Sequence, residues 1–187
     1  MRQAVLLALA VALLLAVPAG HAASAGAGGA GGASASSTVV GVHLKSNGDA
    51  VWTVSIEYRL SGPADRRAFD ETANTFESGS ATASNATGRP MRIKSPSRSH
   101  GVENRSDGTA VGTLTLRFTW TNFATVSNST VEVGDAFAGS WFGDLYANQT
   151  LKLYPPNGYQ TNSVSPKYQK VNGVPTWRGP QSFPSGG

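Results

Sequence analysis

The sequence predicts an α+β fold, mostly β: an antiparallel sheet or sandwich of about seven or eight strands with one amphipathic helix packed on it. Three observations carry this reading. Val51 to Leu60 and Thr109 to Thr121 alternate apolar and polar residues with period two, as strands with one buried face do. A single segment, opening at Ser61-Gly62-Pro63, switches to helical spacing. Asn-Gly, Asp-Gly and proline then punctuate the remainder at short intervals, which leaves room for strands and turns and little else.

Taken in order, the chain begins Met1-Arg2-Gln3, and Ala4 to Val17 form an unbroken run of Ala, Val and Leu that ends at Pro18. A basic start, a short apolar run and small residues such as Ala22 or Ala25 at the cleavage point make a signal peptide over 1–22. The run is shorter than the roughly 20 apolar residues a span requires, so an uncleaved anchor is the second reading. Residues 23–37 carry nothing larger than a hydroxymethyl side chain and read as a flexible Gly/Ala/Ser linker. Gly26, Gly28 and Gly31 have dinucleotide-loop spacing, but no strand precedes them and no helix follows. A single β-rich extracytoplasmic domain over 38–183, of roughly 150 residues, and a short tail over 184–187 complete the organisation.

Within the domain, Val39 to Leu44 and Val51 to Leu60 flank Lys45-Ser46-Asn47-Gly48-Asp49 and read as an antiparallel hairpin, with Asn47-Gly48 supplying positive backbone angles. In the second strand Trp52, Val54, Ile56, Tyr58 and Leu60 take the core side. The helix places Ala68, Phe69, Ala73 and Phe76 on one side and stops at Gly79, before a Ser/Ala/Asn/Thr loop. A weaker strand candidate covers residues 91–105, around Met91 and Ile93, and the strand ending at Trp120 shares an aromatic core with Trp52. Val131 to Val133, Thr150 to Tyr154, Tyr168 to Val171 and Val174 to Trp177 supply further strands, while residues 136–142 form a packed loop or one helical turn.

Chemistry is sparse. The sequence has no cysteine, so the domain is stabilised by burial without disulfides. After export only His43 and His100 remain; His43, out of phase with Val42 and Leu44, faces solvent, and His100 sits in a Ser/Arg loop. Gly139-Ser140-Trp141-Phe142-Gly143 has one residue too many for a nucleophile elbow, and no histidine follows it. Asp135 and Asp144 form a general acid and base only if the fold unites them; Asp135 reads as a turn or cap residue. Asn47, Asp49 and Asp107 lack calcium-ligand spacing. No catalytic residue, metal or cofactor is therefore expected.

What the sequence does offer is surface. Arg89, Arg92, Lys94, Arg98 and Arg105 are a local basic bias suited to a solvated strand face, or to an acidic polymer or lipid head groups. Trp141, Phe142 and Tyr146 are candidates for a binding surface, and so are Arg89, Arg92 and Lys94. Asn85, Asn104, Asn128 and Asn148 begin glycosylation sequons, all read as loops. The balance of 15 basic against 11 acidic residues is too mild to indicate nucleic acid. Expected partners are an unknown protein or envelope component, with membrane contact only through an uncleaved signal.

Five phrases, Asn47 to Val54, Asn85 to Met91, Phe118 to Phe123, Val133 to Phe137 and Trp177 to Pro180, together resemble an uncharacterised haloarchaeal extracytoplasmic domain family. In that family the domain often stands ahead of a membrane helix and a winged-helix regulator module. The resemblance implies an outward-facing module with no established catalytic residues. Because the sequence stops at Gly187, no cytoplasmic module of its own is expected. The functional expectation is a non-catalytic ligand- or partner-binding domain, secreted or at the cell surface. A structural envelope glycoprotein is the alternative, and a carboxylate-based hydrolase ranks below both.

Overall fold

A computed structural model of the chain describes residues 35–78, 90–134 and 144–183. In chain order the elements are β1 (Ala35–Leu44), β2 (Ala50–Leu60), α1 (Pro63–Ser78), β3 (Arg92–Asn104), β4 (Ala110–Thr121), β5 (Thr125–Ser127), β6 (Thr130–Glu132), β7 (Asp144–Leu145), β8 (Gln149–Tyr154), β9 (Gln169–Val171), β10 (Val174–Arg178) and β11 (Gln181–Ser182). Seven of the strands form one open sheet in the order β3-β4-β2-β1-β8-β10-β9; β5-β6 and β7-β11 are two-stranded additions. Among the described residues the fold is mostly β with one helix, as expected. Every ladder of the large sheet is antiparallel except β1 with β8, which makes the sheet mixed.

The expected hairpin is present, with Val42 opposite Trp52 and Leu44 opposite Ala50. Its turn differs in detail: Gly48 alone has a positive φ, of 85°, and Asn47 instead accepts the Asp49 N–H through Oδ1 at 3.1 Å. The β3–β4 loop repeats the arrangement, with Gly108 at φ 80° and the Asp107 carboxylate accepting the Thr109 N–H at 2.9 Å. In both, the N–H of the first loop residue donates to the carbonyl of the fifth at 2.8 Å, Lys45 to Asp49 and Arg105 to Thr109. A basic residue, serine, Asn or Asp, and glycine in that order thus build the same turn twice.

Several expectations require correction. β1 begins at Ala35, so the last three residues assigned to the linker are strand. The weak strand candidate over 91–105 is present as the 13-residue β3, so that His100 and Asn104 lie in strand rather than in loops. It was faint because it is an edge strand with few buried positions, and because a bulge between Lys94 and Ser97 breaks its alternation at Ser95, φ 50°. The segment at Val131 is β6, which pairs only with β5 across Asn128 and Ser129, both at positive φ. Residues 136–142, Gly79 and the following loop lie outside the described residues, as does the Phe76 side chain.

Although Val111 and Thr176 are buried on the opposite face, the main core among the described residues lies on one face of the large sheet. On it, Trp52 meets Phe118, Trp120 and Phe123 with ring centroids 5.9, 5.5 and 5.2 Å away, the shared aromatic core the two strong strands imply. At the other end of the same strands α1 lays Phe69 and Ala73, both buried, over β2 and β4. Asp65 secures the helix start by accepting the Ser61 N–H at 2.8 Å. Phe69 packs 5.5 Å from Tyr58 and settles on Gly112, where a side chain's Cβ would stand 2.6 Å from the ring. A third aromatic group, Tyr168, Trp177 and Phe183, closes the far side, with the Trp177 Nε1–H donating to the Pro166 carbonyl at 2.9 Å.

The Gly112–Phe69 fit generates a stability prediction. Gly112→Ala overpacks the site and is expected to cost about 1–3 kcal/mol, whereas Phe69→Ala empties it and costs about 3–5 kcal/mol. Urea unfolding of both single variants and the double variant checks this. In the double variant the glycine replacement should cost less than it does alone, because the ring it opposes is gone.

Candidate binding face

Strand alternation that sends Trp52, Leu116 and Trp120 into the core sends their neighbours to the opposite face. Register fixes what stands there. One row across the sheet reads Ser97, Arg117, Thr53, Gly41, Lys152, Thr176 and Gln169. The next reads Ser99, Thr115, Ser55, Val39, Thr150 and Arg178. Hydroxyl-bearing residues therefore form the floor. Long cations rise from it: Arg92 and Lys94 on β3, Arg117 on β4, Arg59 on β2, Lys152 on β8 and Arg178 on β10.

The charge asymmetry is complete. This face carries those six basic side chains against the carboxylates of Glu57 and Glu103, an excess of four. All other described side chains balance, seven basic against seven acidic. Glu57 is partly engaged, accepting the Ser37 hydroxyl at 3.0 Å. Five of the six cations are exposed and Lys152 is half-buried.

Near the centre, His43 and Tyr154, paired across the parallel ladder, stack with centroids 4.0 Å apart and planes 2° from parallel. Both rings lean over Gly41: Tyr154 Cε2 and His43 Nε2 lie 3.6 and 3.7 Å from where its Cβ would be. His43 is exposed, as its strand phase implied, yet its pKa is held below 6.5, first by desolvation against its neighbours and second by the Arg117 charge.

The structure redistributes the sequence candidates. Arg92 and Lys94 belong to this face. Arg98, past the bulge, turns to the packed side opposite Leu116, and Arg105 sits in the β3–β4 loop. His100 also faces the packed side, its ring 6.4 Å from Phe69. Tyr146 is exposed at the entry to β8, where its N–H donates to Gln149 Oε1 at 3.0 Å. Asn128 and Asn148 are exposed in turns and Asn104 is exposed at the end of β3, where its Oδ1 accepts Arg66 at 2.9 Å. Asp144 is exposed and accepts the Ser182 hydroxyl at 2.6 Å. Arg89, Trp141, Phe142, Asn85, Asp135 and Ser140 lie outside the described residues.

Arg59, Arg117, Lys152 and Arg178 were not singled out by sequence reasoning. They come one per strand, scattered through 120 positions of chain. Their signal was parity: each occupies the polar phase of an alternating strand. Among the described residues no group of three or more His, Asp or Glu side chains could hold a metal ion, and no helix is long and apolar enough to cross a membrane.

A family model described as a domain of unknown function, DUF7345, matches residues 41–159, well over half of the chain. The chain belongs to that family. The match runs from β1 through β8, so the strands that build the cationic face from β3 to β8 are part of the DUF7345 domain, and Arg178 on β10 adds to it from outside the matched region. No curated protein and no solved structure matches the chain.

The electrostatics of His43 can be tested directly. Its imidazole resonances should titrate below 6.5, and Arg117→Gln should raise the midpoint without restoring it fully, since burial is the larger cause. Because the native pKa is lowered, the unfolded chain takes up the proton first. Stability from this group is therefore complete above pH 6.5 and is lost as the pH falls through the native value. His43→Gln should flatten that part of the pH-stability curve, measured by thermal unfolding.

Proposed function

We propose that this DUF7345 member is a non-catalytic extracytoplasmic binding domain, secreted or held at the cell surface, whose open sheet face meets an anionic partner. The observation that carries the reading is the confinement of the whole charge excess of the described side chains to one face. A solvated surface needs no such segregation, whereas an electrostatic encounter surface gains rate and orientation from it. The extracytoplasmic placement is supported by the basic-then-apolar opening over Met1 to Pro18. The haloarchaeal resemblance adds that such domains stand outside the membrane ahead of a regulator module, which fits a sensing role.

A structural envelope glycoprotein is the second reading, favoured by the exposure of Asn104, Asn128 and Asn148. Occupied sequons would be seen by mass spectrometry of the native protein.

Two measurements test the main reading. Protease added to intact producing cells should digest the protein, and its N-terminus should begin just after Ala22 or Ala25; an intact, protected chain retaining Met1 in the cytosol would contradict export. The purified chain should also cosediment with envelope fragments of those cells. Arg117→Glu combined with Lys152→Glu should abolish that, and unchanged sedimentation would remove the face from the mechanism.

A further inference from the structure

The layout of the cations limits what the anionic partner is. From Arg92 and Lys94 on β3 to Arg178 on β10 the charges cross six adjacent strands, a width of about 24 Å at the usual strand spacing. Within one row, Arg117 and Lys152 are three strands apart, about 14 Å between their backbones. A single small anion reaches one or two of these groups. A chain of regularly spaced anions laid across the strands reaches Lys94, Arg117, Lys152 and Arg178 together, whose rows differ by at most two residues from that of Arg117.

The ground between the cations is hydroxyl-rich and short. Thr53, Ser55, Thr115, Thr119 and Thr150 separate the charges on β2, β4 and β8. Such side chains both donate and accept, matching the hydroxyls and ring oxygens of sugars. Two rival polyanions fit less well. A lipid surface is held firmly when apolar side chains enter it beside the cations, and the exposed large hydrophobics among the described residues, Val126 and Tyr146, stand on other elements. Single-stranded nucleic acid is held by bases stacking on open aromatic faces, and here His43 and Tyr154 stack on each other and lean over Gly41.

We infer that the open face of the sheet binds an acidic polysaccharide, its carboxylate or sulfate groups paired with Arg117, Lys152 and the flanking cations and its hydroxyls hydrogen-bonded to the Thr/Ser rows. The inference rests on the reading of this face as the binding surface.

Titration calorimetry of the full-length chain with polygalacturonate tests it, with the fully methyl-esterified polymer as the uncharged comparison. Binding is expected to the acid form alone, weakening steeply with added salt. Arg117→Gln with Lys152→Gln should weaken it about tenfold or more. Arg67→Gln with Lys167→Gln, which removes the same charge elsewhere, should change it less than about twofold, and thermal unfolding confirms that both variants fold. Single-stranded DNA, and vesicles with and without phosphatidylglycerol, complete the series. The vesicle pair separates the charge-dependent part from insertion of the apolar N-terminal segment. If either of these is bound more tightly than polygalacturonate, and that binding is the one lost in the face variant, the polysaccharide assignment is overturned while the face keeps its role. Should no probe distinguish the face variant from the control, both conclusions fall.

Discussion

Burial on one side of the sheet governs this molecule. Trp52 stands opposite Val42 on one side and Phe118 on the other, so three adjacent strands commit the same phase to the core. A slip of one residue in any of them would push charged and hydroxyl side chains inward and aromatic ones into water. Among the described residues α1 and the turn through Phe123 cover that one side, and the opposite phase carries mostly half-buried and exposed polar side chains. The cationic face is thus the geometric complement of the core, and the same register that stabilises one assembles the other.

The parts of the fold visible in the sequence are those where local chemistry and tertiary burial agree. Burial alternates along the whole of β2 and along β4 from Gly112 onward because each is central and half-buried, and α1 announces itself through Pro63 and the Phe69–Ala73 spacing. β3 was faint because an edge strand with few buried residues has little apolar pattern to display. The parallel pairing of β1 with β8 left no mark at all, since nothing in Val39 to Leu44 distinguishes a neighbour that arrives by a turn from one that arrives after 104 intervening residues. Gly112 illustrates the same limit: its reason is Phe69, more than forty positions earlier.

The candidate binding face was half legible. Arg92 and Lys94 stood out because they are close in sequence, but proximity also drew in Arg98 and Arg105, which the bulge at Ser95 and the following turn send elsewhere. Arg117, Lys152 and Arg178 looked like ordinary solubilising residues of separate strands. Only register brings them onto one surface, and charge segregation is a property of that surface rather than of any stretch of chain.

The parallel ladder also divides the sheet unequally. β1, β2, β3 and β4 follow one another along the chain, whereas β8, β10 and β9 join their sheet through one parallel ladder of six residue pairs, Thr38 to His43 with Gln149 to Tyr154. Closing that seam requires a long loop of chain to be drawn together first, which places it among the slower events of assembly. The four N-terminal strands have their own two hairpins, β1–β2 and β3–β4, to form early, and the two aromatic rings stacked across the seam come together only when the last third of the polypeptide is in place.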